Sequence, residues 1–555
     1  MPCQIASPVL RSTALRGSFL YRLATLVLAV VAASSSVLQP HNVQAAEEQR
    51  KPNVVFILCD DLGYGDVQCL NPKGKIPTPH MDRVAAEGMT FTDAHSGSAV
   101  CTPTRYGVVT GRYAWRSKLQ RSVLGGLSPR LIEQGRMTVA SFLQQQGYDT
   151  ACIGKWHLGM DWAVKPGKAV SELSIESPDQ VDNVDYSVPI KNGPNAVGFD
   201  YYYGISASLD MVPYTFIEND RVTVLPTETR AFAMMYGRPG GTTRKGPTAP
   251  EFDANQVLPR LTEQAVNYIR KHAANGDSET KPFFLYLPYA SPHTPILPTE
   301  AWQGKSGLNP YADFVMETDD GIGQVLRAVD ECGMASNTLF IVTSDNGCSP
   351  QAKFDELARY GHDPSSVFRG HKADIYDGGH RVPFLVRWTG QVAAGSESSE
   401  LICLTDLLAT CADILGQTLP DDAGEDSVSL LPALLGKKTE HPLHEAVVHH
   451  SIDGSFAIRR GDWKLELCPG SGGWSAPRPN QDTSELPAVQ LYNLKTDIAE
   501  KHNVQGEHPE IVEELTALLD RFVEQGRSTP GAPQENAVPV DFRAAGKAAH
   551  RPKKK

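Results

Sequence analysis

The segment SAVCTPTRYG, residues 98–107, places a cysteine close to residues that could control its reactivity. Cys101 precedes Pro103 by two positions and Arg105 by four. A thiol here could pack in the core, form half of a disulfide, bind a metal or act as a nucleophile. The segment is predicted to be a loop that leads into a helix. The chemistry of Cys101 therefore depends on the side chains that the fold brings next to it.

Polar groups follow four segments that are predicted to be β-strands. These groups, with their strands, are Asp60 and Asp61 (54–59), Lys155 and His157 (149–154), His293 (282–289), and Asp345 and Asn346 (338–343). Ligands bind beyond the carboxyl ends of strands in parallel α/β sheets, so these groups are expected on one rim together with Cys101. Each pattern alone has an ordinary explanation, such as a helix cap or a turn. Their joint occurrence favours a functional site.

The strand ends offer three carboxylates and one amide, from Asp60, Asp61, Asp345 and Asn346. Oxygen-only ligands favour calcium or magnesium, whereas zinc would require histidine or cysteine ligands. Lys155, Arg105 and a further lysine could neutralise a tetrahedral oxyanion beside the metal. The two histidines could move protons.

The elements that must position these groups follow an alternating pattern over residues 50–435. Apolar runs typical of strands alternate with amphipathic runs typical of helices, which predicts a large, mostly parallel sheet with helices on both faces. Residues 436–528 contain short strands with turns and one helix, so we expect a small α+β unit with an antiparallel sheet. Residues 529–555 lack periodicity and end in RPKKK, and they are expected to be a disordered basic tail.

The N-terminal 45 residues have the pattern of a secretory signal peptide. Three arginines precede the apolar run LATLVLAVVAA (residues 23–33), and VQAA at residues 43–46 offers a cleavage site. A membrane anchor is the alternative, but 11 apolar residues fall short of the roughly 20 that span a bilayer. We therefore expect an exported protein, periplasmic or secreted, without stable membrane insertion after cleavage.

Charge and cysteine content narrow the function further. The formal net charge is −12, and removal of the arginine-containing leader makes the chain more acidic, which argues against general nucleic-acid binding. An anionic substrate would then need locally concentrated positive charge. No two of the ten cysteines have the CxxC spacing of a zinc site, and Cys59 and Cys152 are predicted to be buried thiols.

The motifs resemble those of the type I sulfatases, the formylglycine-dependent, arylsulfatase-like family. CTPTR matches the C-x-P-x-R signature in which the cysteine is oxidised to formylglycine (3-oxoalanine) during export. The resemblance runs in order from about residue 50 to 525, through DDLGYGD, GVVTGR, GKWHLG, SPHTP, TSDNG, KADIYDGGHRVPF and LYNLKTDIAEKHNV. It implies the alkaline-phosphatase-like fold and hydrolysis of sulfate esters, with aryl sulfates as small substrates.

The resemblance also implies a role for each candidate residue. Cys101 would become the formylglycine, whose hydrate supplies the nucleophile, and a formylglycine-generating enzyme would be a partner. One calcium ion would be bound by Asp60, Asp61, Asp345, Asn346 and the modified Cys101. Arg105 would orient the modified residue. Lys155, Lys372 and His293 would bind the sulfate, with His293 protonating the leaving alcohol and His157 accepting a proton as sulfate is expelled.

Two other functions stay open from the sequence. A phosphonate or phosphate ester hydrolase of the same fold could use the same formylglycine chemistry. A non-catalytic protein that binds sulfated glycans would be expected to lack a catalytic residue, but all ten candidate positions carry suitable side chains.

The substrate is expected to be a sulfated carbohydrate, cleaved at a terminal sugar. Residues 161–246 and 354–369 contain aromatic clusters, including FDYYYG and MMYGRPGG, that could stack on sugars or pack internally. His80 stands where relatives commonly have asparagine and is expected to be a surface or capping change. His371 and His380 could line the pocket or be ordinary loop histidines.

Overall fold

The computed structural model describes residues 50–276 and 281–543, and the described residues from Lys51 onward form one compact unit. The predicted signal peptide, residues 1–45, lies outside this part of the chain. Among the described residues, no helix combines the length and apolarity needed to cross a bilayer.

The strands, in chain order, are β1 (Asn53–Asp60), β2 (Met89–Phe91), β3 (Ala94–His95), β4 (Asp149–Lys155), β5 (Tyr201–Ile205), β6 (Ile217–Glu218), β7 (Arg221–Val222), β8 (Glu228–Arg230), β9 (Gly246–Thr248), β10 (Phe283–Pro292), β11 (Thr338–Ser344), β12 (Phe384–Arg387), β13 (Ser396–Ser398), β14 (Ile402–Cys403), β15 (Val447–His450), β16 (Phe456–Arg460), β17 (Trp463–Glu466) and β18 (Gln490–Asn493). The α-helices are α1 (Pro79–Ala86), α2 (Cys101–Thr110), α3 (Val139–Gln145), α4 (Val257–Ala274), α5 (Pro310–Glu331), α6 (Phe354–Ala358), α7 (Asp377–His380), α8 (Leu407–Ile414), α9 (Leu431–Leu434) and α10 (Pro509–Glu524).

A ten-stranded sheet forms the centre of the molecule, in the order β13-β2-β12-β11-β1-β10-β4-β5-β6-β7. The five central strands, from β11 to β5, are parallel, and β12, β6 and β7 bring antiparallel pairings towards the edges. Every residue of β1 is buried, as expected for a central parallel strand covered on both faces. The predicted α/β class with a mostly parallel sheet is confirmed.

Two groups of helices pack around the sheet. Helix α5 contacts both α1 and α4, and these three helices contact the strands β12, β10 and β4, whereas α2, α3 and α8 form a second mutually packed group. Helix α5 begins at a proline, and the preceding Asn309 side chain accepts a hydrogen bond from Ala312 N, a favourable helix start.

A four-stranded antiparallel sheet, β15-β16-β17-β18, forms the second layer with α10. The core between this sheet and α10 includes Val447, Leu465, Leu519 and Phe522, and Trp115, which follows α2 in the chain, packs in the same core. The predicted small antiparallel unit is therefore present, and it packs directly on the segment that follows α2.

The prediction of disorder from residue 529 is wrong for residues 529–543. Ala537 N donates to Arg116 O at 2.7 Å, and the side chain of Phe542 is 2% exposed in the core around Phe456. A single aromatic anchor and backbone hydrogen bonds order this segment without any periodic pattern. Residues 544–555, which include the basic end, lie outside the described residues.

Candidate active site

The two central strands β1 and β11 bring the acidic residues together. They pair in parallel register, and Asp345 N donates to Cys59 O at 3.0 Å, just beyond the paired region. Carboxylate oxygens of Asp60, Asp61 and Asp345 lie within 4.8 Å of one another. Asn346 Nδ2 donates to Asp61 Oδ1 at 2.7 Å, so all four predicted oxygen ligands share one buried site.

Two oxygen atoms in this cluster have no protein partner. Asp60 Oδ1 and Asn346 Oδ1 are buried, and no described residue donates a hydrogen bond to them. A buried oxygen without a donor is costly, and a hard cation would satisfy both atoms. These residues therefore fit a calcium-type ion, which the structure does not contain.

The pKa values of the acidic residues also indicate a cation site. Burial and the nearby Asp60 raise the pKa of Asp345 to about 7. Burial also opposes ionisation of Asp60, but the neighbouring cations, Lys155 first, hold its pKa well below its ordinary value. A bound cation would offset the repulsion between the carboxylates and keep Asp345 ionised.

Three basic side chains reach the same cluster, one to each carboxylate. Arg105 donates from Nη2 to Asp345 Oδ2 at 2.7 Å, Lys155 Nζ donates to Asp60 Oδ2 at 2.6 Å, and Lys372 Nζ donates to Asp61 Oδ2 at 2.9 Å. Despite burial, the carboxylates raise the pKa values of Arg105 and Lys372, so both stay protonated. Positive charge is thus concentrated locally in an acidic protein.

Cys101 is the first residue of α2, and its side chain points into this site. Its Sγ, an oxygen of Asp60 and a ring nitrogen of His293 lie within 4.8 Å of one another. Burial raises the pKa of the Cys101 thiol in spite of Lys155 and Lys372. An unmodified thiol would therefore be a poor nucleophile, since thiolate is the reactive form.

The two predicted histidines occupy different surroundings. His293 Nε2 lies 3.7 Å from Asp61 Oδ2, and its Nδ1 lies 2.5 Å from Thr294 O. His157 places Nε2 2.9 Å from Leu124 O, and its Nδ1 is buried without a hydrogen-bond partner among the described residues. Burial, followed by the charge of Lys155, holds the pKa of His157 well below its usual range, so the ring is neutral.

The backbone at two site residues adopts a left-handed conformation. Asp61 has φ = 64° and His157 has φ = 56°, values that are uncommon outside glycine. Gly154, beside Lys155, has φ = 148°, and a Cβ there would come within 2.0 Å of Pro288 O. Strain and close approach at functional sites are common, and here they aim side chains at the rim.

The three further histidines have different surroundings. His80 is partly exposed on α1, and its backbone N donates to Asp319, as a helix-start residue would. His371 borders a cavity next to Lys372. His380 is fully buried, with Nδ1 2.9 Å from His95 Nδ1, so it belongs to a packed cluster rather than to a pocket wall.

The aromatic stretches expected at the substrate pocket are divided between core and surface. Phe199, Tyr202 and Tyr203 of FDYYYG are buried, Tyr202 and Tyr203 within β5, whereas Tyr236 is 44% exposed. Sequence reasoning missed Trp474 and Ile452, which pack against the apolar cluster that contains Cys101. Both residues lie in the C-terminal segment, and only its glycine-rich composition around Trp474 hints at a loop over a site.

Comparison with known proteins defines the class of this site. The sulfatase family model matches residues 52–417, so the chain belongs to the sulfatase family. It is 31% identical to N-acetylgalactosamine-6-O-sulfatase of Bacteroides thetaiotaomicron, over 85% of this chain and 93% of the relative. It is 30% identical to human arylsulfatase A, over 88% and 92% of the two chains.

A solved structure is also similar. A protein from a study of glycosaminoglycan metabolism by Bacteroides thetaiotaomicron superimposes with a TM-score of 0.71 at 31% identity, covering 85% of this chain and 99% of that one. The expected type I sulfatase family and its fold are confirmed, and the chain is a sulfuric ester hydrolase.

Proposed function

We propose that this sulfatase works through a formylglycine made from Cys101 and one calcium ion bound by Asp60, Asp61, Asp345 and Asn346. The observation that carries this proposal is the pair of buried oxygen atoms, of Asp60 and Asn346, that have no hydrogen-bond partner among the described residues and belong to the acidic cluster beside Cys101. The raised pKa of the Cys101 thiol supports chemistry by a modified residue rather than by the cysteine itself. A formylglycine-generating enzyme is therefore expected as a maturation partner.

The modification and the metal would supply complementary chemistry. A hydrated aldehyde carries two hydroxyls on one carbon, one to receive sulfate and one to release it, and calcium would lower the charge on the attacking and sulfate oxygens. Arg105 holds Asp345 and lies beside Asp60, so it would orient the modified residue. Lys155 and Lys372 would each turn an N–H towards sulfate, since both are protonatable groups at the same rim.

The histidines would handle protons. His293 reaches towards the Cys101 and Asp60 side and would hold the proton needed by the leaving oxygen. His157 is neutral, and its buried Nδ1 has no partner among the described residues, so it would accept a proton as sulfate is expelled. His293 would thus act as the acid and His157 as the base.

The substrate is proposed to be a sulfated carbohydrate, attacked at a terminal sugar. The relative named N-acetylgalactosamine-6-O-sulfatase supports a sulfated sugar, and the positive groups around Cys101 suit its sulfate. We also propose that the chain is exported, to the periplasm or outside the cell, because its leader has the pattern of a signal peptide.

The test is turnover by the exported protein after coexpression with a formylglycine-generating enzyme. Initial rates are compared for an aryl sulfate, an aryl phosphate diester and a panel of sulfated oligosaccharides. We expect the sulfate esters to be turned over faster than the diester at equal concentration. Preference for the diester would contradict the assignment and support the phosphoester alternative.

A further inference from the structure

A cavity lies beside the proposed active site. It has a volume of about 440 Å³, within the range of ligand pockets, and its wall includes Pro350, His371, Trp474, Arg478 and Asn480. Pro350 follows Asn346 by four residues, and His371 immediately precedes Lys372. Two walls of this cavity are therefore continuous in the chain with residues of the proposed active site.

The third wall comes from the C-terminal segment and is held in place by Asp374. Trp474 N and Ser475 N donate to Asp374 Oδ1 at 2.7 and 2.9 Å, and His371 N donates to Asp374 Oδ2 at 3.1 Å. His371 Nε2 also lies 3.1 Å from Ser475 Oγ. The buried carboxylate of Asp374 thus holds the loop that contains Trp474 against the segment that contains Lys372.

Trp474 joins this cavity to the reaction centre. It is only partly buried and packs against the apolar cluster that contains Cys101 and Ala373. A partly exposed indole in the wall of a pocket is a suitable platform for the apolar face of a sugar ring. The indole thus links the cavity to the apolar residues around Cys101.

Arg478 differs from Arg105 of the proposed active site because it forms no ion pair with an acidic residue in the described part of the chain. Its Nε donates to Trp474 O at 2.7 Å, and no carboxylate of the described residues lies within ion-pair distance of its guanidinium. Arg105, by contrast, is paired with Asp345 and Asp60. An exposed, preoriented guanidinium at a pocket of an acidic protein is a good receptor for an anion.

We propose that Trp474 and Arg478 form a subsite for a neighbouring sugar that carries a second negative charge. Trp474 stacks on the ring, and Arg478 binds its anionic group, either a carboxylate or a second sulfate. The inference rests on the proposed function, because it assumes that the first sugar presents its sulfate at Cys101. It makes the substrate a polyanionic glycan rather than a neutral one with a single sulfate.

The experiment compares three sulfated disaccharides that differ in the neighbouring sugar, which is neutral, carries a carboxylate or carries a sulfate. Each is measured as a substrate and as a competitive inhibitor of aryl sulfate turnover, with the wild type, Arg478→Gln, Arg478→Lys and Trp474→Ala. We expect Arg478→Gln to weaken kcat/KM or inhibition about tenfold or more for a charged disaccharide, in line with a lost charged hydrogen bond. The better of the two charged disaccharides identifies the anion.

The controls separate this subsite from the active site. Arg478→Gln should leave aryl sulfate turnover and the neutral disaccharide unchanged, Arg478→Lys should restore part of the loss, and Trp474→Ala should weaken all three disaccharides through KM. The exposed Arg270→Gln on α4 should change nothing. Equal effects of Arg478→Gln on charged and neutral disaccharides, or no effect on any, would overturn the subsite, whereas wild-type enzyme without aryl sulfate turnover would overturn the proposed function instead.

Discussion

Two buried charge clusters of this protein differ in how their acidic side chains are partnered. At the candidate active site, Asp60 and Asn346 each keep an oxygen atom to which no described residue donates a hydrogen bond. At the junction with the C-terminal unit, Asp93, Asp377 and Glu500 have every carboxylate oxygen paired. Both clusters are rich in charge, but of the described residues only Asp60, Asp61 and Asp345 bring carboxylate oxygens of three residues within 4.8 Å of one another.

The junction cluster has a structural task that its contacts make visible. Asp93 is bound by Arg459 through both oxygens at 2.6 Å, and Lys464 Nζ donates to Asp377 and Glu500 at 2.9 and 2.6 Å. The segment that leads to Cys101 is also attached to the C-terminal sheet, because Ala99 N donates to His450 O at 3.0 Å. The pairing of Asp93, Asp377 and Glu500 with basic side chains thus identifies this junction cluster as a structural brace, although Glu466, 3.2 Å from Lys464 Nζ, has no hydrogen bond to either carboxylate oxygen among the described residues. The converging carboxylates of the other cluster instead indicate a site for chemistry.

The largest predicted effect is the loss of activity when Cys101 is replaced. Cys101→Ala should lower sulfate release by at least about 10³-fold, because it removes the proposed nucleophile while adding no bulk. Sulfate release and the thermal midpoint are measured together. Cys69→Ala, at an exposed cysteine, is the matched control and should behave as wild type. Full activity of Cys101→Ala would end the proposed mechanism.

Calcium removal tests the unpartnered oxygens directly. Treatment with a chelator should abolish turnover and lower stability, since an ion at about 1,000 times its Kd stabilises a protein by about 4 kcal/mol. Activity and the thermal midpoint are followed as calcium is restored. Asn346→Ala should require more calcium than wild type, whereas Asn337→Ala, whose side chain donates to Lys51 O, should not. Indifference of both readouts to chelation would contradict a metal at the rim.

Mutation of the brace should lower the stability of the protein and leave its calcium affinity unchanged. Asp93→Asn leaves Arg459 without its buried counter-charge and Arg381 with Asp377 alone, and it is expected to cost about 3–5 kcal/mol. The measurement is the shift in the unfolding midpoint, with calcium affinity as the second readout. Asp520→Asn removes an exposed partner of Arg543 and should cost less than about 1 kcal/mol. A fall in calcium affinity without loss of stability would erase the distinction between the two clusters.

The smallest effect concerns the pH dependence of stability that arises from His450, a buried residue of β15. Burial lowers the pKa of His450 to about 4, so the unfolded chain binds more protons than the folded one below its unfolded pKa of about 6.5. Stability is then fully present above that value and falls as the pH drops towards 4, by roughly 2 kcal/mol at pH 5. His450→Leu should reduce the dependence of the unfolding midpoint between pH 7 and 5 without removing it, because burial also lowers the pKa of His95 to about 4. Replacement of the exposed His502 should leave the slope unchanged, and an equal slope in His450→Leu would refute the assignment.

The sequence predicted most of the rim and little of its surroundings. Strand ends could be located from apolar runs, and parallel strands bring such ends together, which is why Asp60 and Asp345 were expected to meet. Trp474 could not be placed, because its contact with the Cys101 cluster depends on tertiary packing between distant segments. The ordered segment 529–543 was missed for a related reason, since Phe542 is anchored by a core that no local pattern reveals.

The same reasoning explains the aromatic stretches. FDYYYG has the composition of a sugar platform, but Tyr202 and Tyr203 lie in β5, where alternation and burial in the sheet decide their role. Composition alone does not distinguish a packed strand from a binding surface. Exposure, which only the fold determines, separates these residues from Tyr236.

The mass of the peptide that contains Cys101, taken from active enzyme, tests the central claim most directly. Conversion of the thiol to the aldehyde lowers the mass by about 18 Da, and we predict that the specific sulfatase activity rises in proportion to the converted fraction. Fully active enzyme whose Cys101 peptide keeps the mass of cysteine would contradict the account.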